Sequence, residues 1–260
     1  MIRFFRDIKK YYAYMVRAAK SDLKSEVADS KLNWLWWVLD PLFFMLVYMF
    51  IALVVFNRSE PYFPVFVFIG LTLWNFFSKN VNASVTLVRS NKSIVTKVYI
   101  PKHILLTERM FVNFFKMLVS FGLTAILMII FQVPLSVHYL HVIPILIVLW
   151  TVTFGFSSIL LHFGVFIDDL SNVVTVLLRL GLYLSGIFYS IKTRVPSPYN
   201  MLLLNGNPVA YCMDAMRSAL LENSAPNYLV LGIWMVIGVS LSVAGLSLMY
   251  RYENGYAKVI

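Results

Sequence analysis

Six long apolar stretches constrain what this chain can fold into more than any other feature. They cover about residues 34–56, 62–86, 104–131, 142–166, 171–191 and 228–250. A helix needs about 20 apolar residues to cross roughly 30 Å of hydrocarbon. Hydrophobic residues make up 60% of the chain and charged residues 13%, a balance that excludes an ordinary soluble domain. The sequence therefore predicts an all-α polytopic membrane protein with six transmembrane helices.

The N-terminal segment differs from these stretches because basic residues interrupt it. Between residues 2 and 23, apolar side chains recur three and four positions apart, separated by Arg3, Arg6, Lys9, Lys10, Arg17 and Lys20. This spacing predicts a basic amphipathic helix in the lipid headgroup plane, since a signal peptide would have an uninterrupted apolar region. A soluble helix packed on a core is the alternative. Residues 1–33 are assigned to this interface helix and a connector, which leads into a tryptophan cluster suited to the membrane interface, Trp34, Trp36 and Trp37.

The basic segment 89–102 between the second and third stretches sets the orientation. It contains Arg89, Lys92, Lys97 and Lys102 and no acidic residue, so the positive-inside rule places it in the cytoplasm. With six spans, eighteen of the 22 lysines and arginines then fall on the cytoplasmic side or at adjoining span ends. Both termini are therefore predicted to be cytoplasmic.

A short helix is predicted inside this basic segment. Ser90 and Asn91 are good helix N-caps, while Pro101 disfavours helix at the residue before it. Ile94, Val95 and Val98 follow at helical spacing and predict an apolar edge that is free to dock on another protein.

Residues 192–227 are too long for a tight turn and too apolar for a disordered loop. Prolines and Gly206 divide them into two short pieces, about 198–204 and 209–221, and neither can span a membrane. We predict two external half-helices that dip back toward the membrane, where protein must shield their backbone. The chain is thus one transmembrane domain, with spans one to five in 34–191, these half-helices in 192–227, span six in 228–250 and a cytoplasmic tail in 251–260.

The chain lacks the motifs of an enzyme. No GxxxxGK[ST] sequence is present, so no ATP hydrolysis is expected from this chain alone. His138 and His141 have no carboxylate or cysteine nearby, so a metal site is not predicted. Asp168 and Asp169 are adjacent, and adjacent side chains on a helix point about 100° apart. They fit helix capping or a salt link better than catalysis, and no nucleic acid partner is predicted.

Cations within the apolar stretches are the most informative polar residues. An unpaired cation inside a membrane is costly and normally faces a cavity or a partner. These cations could form a path for anionic cargo, with snorkelling to the interface as the alternative. Aromatic residues beside them could stack on sugar rings, although aromatics at this spacing commonly face lipid or core. The predicted substrate path consists of Lys79, Arg179, Tyr183, Tyr189 and Arg217.

The chain resembles the membrane subunit of type-two ABC exporters of lipid-linked cell-surface polymers, namely O-antigen, capsular polysaccharide and teichoic acid. The resemblance covers almost the whole chain and rests on the order of LNWLWWVLDPLFF, NKSIVTKVYIPKHIL, FIDDLSNVV, YLSGIFYS and NPVAYCMDAMRSALL. Two positions depart from the family pattern. Ile100-Pro101-Lys102 replaces Phe-Pro-Arg and keeps the positive charge, whereas Asp168-Asp169 replaces Arg-Asp and does not.

This resemblance implies a homodimer in a bacterial cytoplasmic membrane, with two copies of a separate ATPase that binds ATP and Mg²⁺. The external half-helices would gate the outer mouth, with Asn207 and Pro208 among the gate residues. Arg179 within LLRLGLYLSG resembles the teichoic-acid branch most. A small-molecule or drug exporter and a membrane enzyme of envelope glycan synthesis are the alternatives. The resemblance assigns the coupling helix, seated in a cleft of the ATPase, to Asn91, Lys92, Ser93, Ile94, Val95, Thr96, Lys97 and Val98.

Overall fold

The computed structural model describes residues 2–28, 33–51, 54, 60–253 and 255–256. Lys31, Arg58 and Lys258, which entered the predicted charge distribution, lie outside these residues, as does the end of the predicted first span. The described residues contain no strand. They form short 3-10 helices at Asn33–Leu35 and Val137–His141 and eleven α-helices: α1 Ile2–Ala28, α2 Trp36–Phe50, α3 Phe63–Ser90, α4 Lys92–Val95, α5 Lys102–Ile130, α6 Val142–Phe166, α7 Leu170–Leu184, α8 Ile191–Arg194, α9 Tyr199–Gly206, α10 Pro208–Leu220 and α11 Tyr228–Arg251.

Three of the described helical segments are long and apolar enough to cross a membrane: α5, α6 with the 3-10 turn before it, and α11. Helices α2 and α7 are apolar but only 15 residues long. Helix α3 has 28 residues, but polar side chains in its second half, among them Lys79, lower its hydropathy. The all-α membrane fold is therefore confirmed, while the count of six spans stays a prediction.

The predicted fifth span, 171–191, is too long. Helix α7 ends at Leu184, and Gly186 follows with a φ of +67°. This left-handed conformation is open to glycine and ends helices at low cost. The chain then turns into α8 instead of continuing the span.

Helix α3 lies at the centre of the bundle and packs against α2, α5, α6, α7 and α10. Helices α6 and α11 pack closely along much of their length, because glycines on both allow their backbones to approach. A Cβ atom added at Gly155 would lie 2.9 Å from the backbone oxygen of Gly238. Membrane helices gain little from burying apolar side chains against each other, because lipid tails are equally apolar. They associate instead through close packing, which small residues allow.

Helix α1 packs lengthwise against α5. Its Met15 is buried, and Arg109 of α5 bonds Asp22 of α1 at 3.1 Å. Lys9 and Lys10 on the opposite side of α1 are exposed. The predicted amphipathic helix is thus present and extends to Ala28, five residues beyond the predicted segment 2–23, with one side on the bundle and basic residues on the other.

Candidate coupling surface and polar groove

The short helix α4 presents a mixed apolar and basic surface. Val95 is only 6% exposed, whereas Ile94 is 38% and Val98 is 56% exposed. Lys92 and Lys97 are exposed beside them, as are Ser93 and Thr96. The predicted apolar edge is therefore wrong at Val95, which points into the core and anchors the helix. The outward surface consists of Ile94 and Val98 flanked by two lysines.

The predicted capping of α4 is also wrong in its detail. Asn91 occupies the N-cap position, but its side-chain amide donates a hydrogen bond back to the carbonyl oxygen of Leu87 at 2.9 Å. The Ser90 hydroxyl donates to the same oxygen at 3.1 Å. Both side chains therefore close the end of α3, and α4 begins on the backbone oxygen of Asn91 alone.

The loop after α4 is bonded to both ends of the chain. The Tyr99 hydroxyl donates to Glu253 at 2.6 Å, and Arg3 donates to the same carboxylate at 2.8 Å and to the Tyr99 oxygen at 3.0 Å. The Arg3 guanidinium also lies 4.4 Å from the ring centroid of Tyr250. Partial burial and the Glu253 carboxylate raise the pKa of Tyr99 to about 12, so this phenol stays a hydrogen-bond donor. A movement of α4 would thus reach α1 and the end of α11 directly.

A second feature, which we call the polar groove, consists of two adjoining cavities between α1, α2, α3, α5 and the start of α7. The deeper cavity has a volume of about 250 Å³ and the one nearer α4 about 420 Å³, and they share Lys79, Asn113 and Lys116. The groove follows α5 from Arg109 to Ser120, a rise of roughly 16 Å along the helix. Its other lining residues are Trp36, Trp37, Asp40, Pro41, Thr72, Asn75, Phe76 and Met117 in the deeper part, with Glu26, Asn82, Ala83, Thr86 and Ser171 nearer α4.

The predicted substrate-path residues do not come together in one protomer. Lys79 lines the polar groove, whereas Arg179 and Tyr183 lie on the exposed side of α7 and line neither cavity of the groove. Arg179 has no ion pair or hydrogen bond among the described residues. The hydroxyl of Tyr189 donates to the backbone oxygen of Tyr183 at 3.0 Å, which fixes the turn after α7.

Arg217 lies inside the protein at 5% exposure. Its guanidinium donates to the backbone oxygens of Phe66 at 3.2 Å, Gly186 at 2.8 Å and Ile187 at 2.8 Å, and it stacks 3.5 Å from the Phe66 ring centroid. All of these partners are protein groups. In this structure Arg217 therefore joins α10, α3 and the turn after α7, and its donors are not directed toward a path.

Of the residues predicted for the interface and gate, Asn207 and Pro208 hold the start of α10 in place. Asn207 accepts hydrogen bonds from the backbone N–H groups of Val209 and Ala210 at 3.0 and 3.2 Å, and Pro208 is the first residue of α10. This is a standard N-cap with proline at the first helical position. Trp34 and Trp36 are more than two-fifths exposed, and Trp37 packs edge-on against Phe115.

The acidic pair has the structural role predicted for it. Asp168 forms an ion pair with Arg89 at the end of α3, and Arg89 also donates to the backbone oxygen of Val165 at 2.8 Å. The salt link is confirmed, although Asp169 precedes α7 without a side-chain cap. The ring nitrogens of His138 and His141 lie 3.2 Å apart, and no third metal ligand stands with them among the described residues.

Comparison with known protein families identifies the family of this chain. The sequence model described as ABC-2 type transporter matches residues 17–221, which is most of the chain. The chain belongs to the ABC-2 type transporter family. As an ABC-2 transporter chain it is a membrane subunit and not an enzyme, and the ATPase is a separate subunit. The predicted absence of enzymatic activity is thereby confirmed.

Several ABC-2 relatives are similar to this chain. The O-antigen export system permease protein RfbA of Myxococcus xanthus is 26% identical over the full length of both chains. A protein of the same name from Klebsiella pneumoniae is 25% identical over 95% of this chain and 94% of its own. The inner membrane transport permease YadH of Escherichia coli K12 is 34% identical over 46% of this chain and 47% of its own.

Proposed function

We propose that this chain is the permease subunit of an ABC exporter that moves a lipid-linked cell-envelope polysaccharide across the cytoplasmic membrane of a bacterium. The observation that carries the proposal is the surface of α4 and the turn after it, in which a buried Val95 anchors an outward patch of Ile94, Val98 and two lysines. Such a patch suits docking on a partner protein. The polysaccharide class comes from the two full-length relatives, which are named as O-antigen export permeases.

In the proposed mechanism two copies of this chain work with two copies of the ATPase, which binds ATP and Mg²⁺. Both termini and α4 are cytoplasmic, and α9 and α10 form the outer gate. Closure of the ATPase pair pushes on residues 91–98, and Arg3, Tyr99 and Glu253 pass the movement to α1 and α11. Helices α2 and α7 of the two protomers then part, and the polymer passes between them.

Depletion of the chain in its native cells tests this proposal. We expect lipid-linked polysaccharide to accumulate inside the membrane and surface polysaccharide to fall, while total synthesis continues at first. A chain with Lys92→Cys, which is exposed, should cross-link to the ATPase. Accumulation of a small amphiphile with normal surface polysaccharide would support a small-molecule exporter and contradict the proposal, as would labelling of Lys92→Cys from outside intact cells.

Teichoic acid is a second candidate cargo, favoured by Arg179. This cation is exposed on α7 without a partner among the described residues, and arginine binds phosphate-rich polymers strongly. We expect Arg179→Gln to reduce export of an anionic polymer roughly tenfold and to leave export of a neutral glycan nearly unchanged, with Arg179→Lys as the charge-retaining control. The measurement is the amount of surface polymer in cells that synthesise either the anionic polymer or the neutral glycan. Equal effects of Arg179→Gln on both polymers would contradict a role of Arg179 in binding anionic cargo.

A further inference from the structure

The polar groove is built from two matching polar stripes that the proposed coupling surface does not use. Thr72, Asn75 and Lys79 recur three and four residues apart on α3. On α5, Asn113, Lys116 and Ser120 have the same spacing and line the opposite wall. A membrane helix has no reason to keep such a stripe toward its neighbour unless the polar groups bind each other or a ligand.

We propose that the polar groove binds the phosphate groups of a membrane lipid, and specifically the diphosphate through which a polyprenyl carrier holds the exported polymer. This inference rests on the proposed function for the identity of the lipid. The groove would hold the diphosphate between Thr72 and Lys79 while the lipid tail stays in the bilayer.

In the part of the chain that the structure describes, carboxylates pair with some of the cations in the groove but not with Lys79. The unpaired cation favours an anionic ligand. Lys116 is paired with Glu26, and Arg109 lies 3.1 Å from Asp22 and 3.7 Å from Glu26. Lys79, which lines both cavities, has no carboxylate within 4.0 Å among the described residues. Its ammonium group is therefore free to form a charge-assisted hydrogen bond to a phosphate oxygen.

A buried hydroxyl at the deep end of the groove gives independent support. Thr72 is 2% exposed and lines the deeper cavity, yet its hydroxyl oxygen has no hydrogen-bond partner among the described residues. Buried hydroxyl groups are normally satisfied, because leaving one without a partner costs free energy. The hydroxyl oxygen itself is buried, and a rotation about the Cα–Cβ bond would turn it toward the cavity, where a phosphate oxygen would accept its hydrogen bond. Asn113 lines both cavities, and its orientation is fixed because its amide donates to Asn80 at 2.7 Å.

Two further lining groups bear on the choice of ligand. Trp36 and Trp37 form part of the wall, and tryptophan prefers the depth of the lipid headgroups, where a lipid phosphate lies. Asp40 also lines the deeper cavity and would repel a phosphate. This carboxylate gives the proposal a test of opposite sign, since removing its charge should strengthen binding, whereas removing the charge of Lys79 should weaken it.

Binding of radiolabelled polyprenyl diphosphate to the full-length chain in phosphatidylcholine nanodiscs tests the proposal. We expect Lys79→Gln to weaken binding roughly tenfold, Lys79→Arg to restore most of it and Asp40→Asn to tighten it several-fold. Lys20→Gln, which removes an exposed cation on α1 outside the groove, should bind like the unmodified chain. A folding defect cannot produce the tighter binding of Asp40→Asn, so that variant keeps the test valid if Lys79→Gln is unstable.

The outcomes separate this inference from the proposed function. Unchanged binding in both Lys79→Gln and Asp40→Asn would overturn the phosphate site, even if Lys92→Cys still cross-links to the ATPase and depletion still blocks export. Competition by phosphatidylglycerol as effective as by unlabelled polyprenyl diphosphate would overturn the assignment to the carrier lipid and give the site to phospholipid headgroups. Binding that responds to both variants and resists phosphatidylglycerol would support the inference in full.

Discussion

At the scale of single residues, Arg217 shows how a buried cation can hold a membrane protein together. Its guanidinium satisfies three backbone oxygens in the turn after α7 and in α3 and covers the ring of Phe66. A neutral side chain would leave buried oxygens without donors. We expect Arg217→Gln to lower the free energy of unfolding by about 3 kcal/mol, measured as a lower melting temperature of the purified chain in detergent.

Arg194→Gln is the matched control for this prediction. Arg194 donates to Glu60 at 3.0 Å, and about a third of its side chain is exposed, so the pair contributes little to stability. The variant should melt within a degree or two of the unmodified chain. If Arg217→Gln melted like Arg194→Gln but exported less polymer, Arg217 would belong to the substrate path after all.

At the scale of elements, α4 and the turn after it combine an anchor with a docking surface within residues 92–98. Ile94→Asp changes an exposed side chain and should leave the melting temperature nearly unchanged while the ATPase no longer co-purifies with the chain. Val95→Asp buries a carboxylate and should lower the melting temperature strongly. Melting curves and pull-down of the ATPase, measured on both variants, separate the two roles. Loss of the ATPase from Val95→Asp at normal stability would contradict this division.

Helix α11 contains a matched pair of glycines for testing the contact with α6. A Cβ atom at Gly245 would lie 2.6 Å from the Cβ atom of Ser158, whereas one at Gly232 would meet nothing within 4 Å. We expect Gly245→Ala to cost about 1–3 kcal/mol through overpacking. Gly232→Ala should be neutral or slightly stabilising, because alanine favours helix over glycine. Thermal melting of the two variants tests this prediction. Equal melting temperatures would show that the close contact between α6 and α11 at Gly245 does not contribute to stability.

Apolar length and periodicity predicted the helices well where one helix spans one apolar run, as in α6, whose bounds match the prediction. They failed at α7, because an apolar run does not show that a glycine in the left-handed region ends the helix. Only one part of the polar groove could be predicted from the sequence. The spacing of Thr72, Asn75 and Lys79 marks a polar stripe, but only the packing of α3 on α5 brings it opposite Lys116. Likewise, no local pattern shows that Arg217 points into the bundle.

At the scale of the whole molecule, α2 and α7 are among the helices whose apolar stripes the single chain leaves uncovered. Four exposed residues on α2 and four on α7 recur at helical spacing: Phe43, Phe44, Val47 and Phe50, and Val173, Val176, Leu177 and Leu180. Exposed apolar stripes on membrane helices fit either lipid or a second protein. The proposed homodimer places α2 of one protomer against α7 of the other, where the two must separate for a polymer to pass.

Cross-linking between two differently tagged copies tests this arrangement, and the native Cys212 does not interfere because it is buried. We expect a Val47→Cys chain and a Leu177→Cys chain, co-expressed with the ATPase, to form a covalent dimer on mild oxidation. ATP and Mg²⁺ should lower the yield, because closure of the ATPase pair drives the two helices apart. Val47→Cys paired with Val236→Cys on α11 should give no dimer, since α11 packs chiefly on α6 and is not part of the proposed contact between α2 and α7. If ATP and Mg²⁺ did not change the cross-linking yield, α2 and α7 would not separate during the transport cycle. That result would contradict the proposed movement even if the dimer forms.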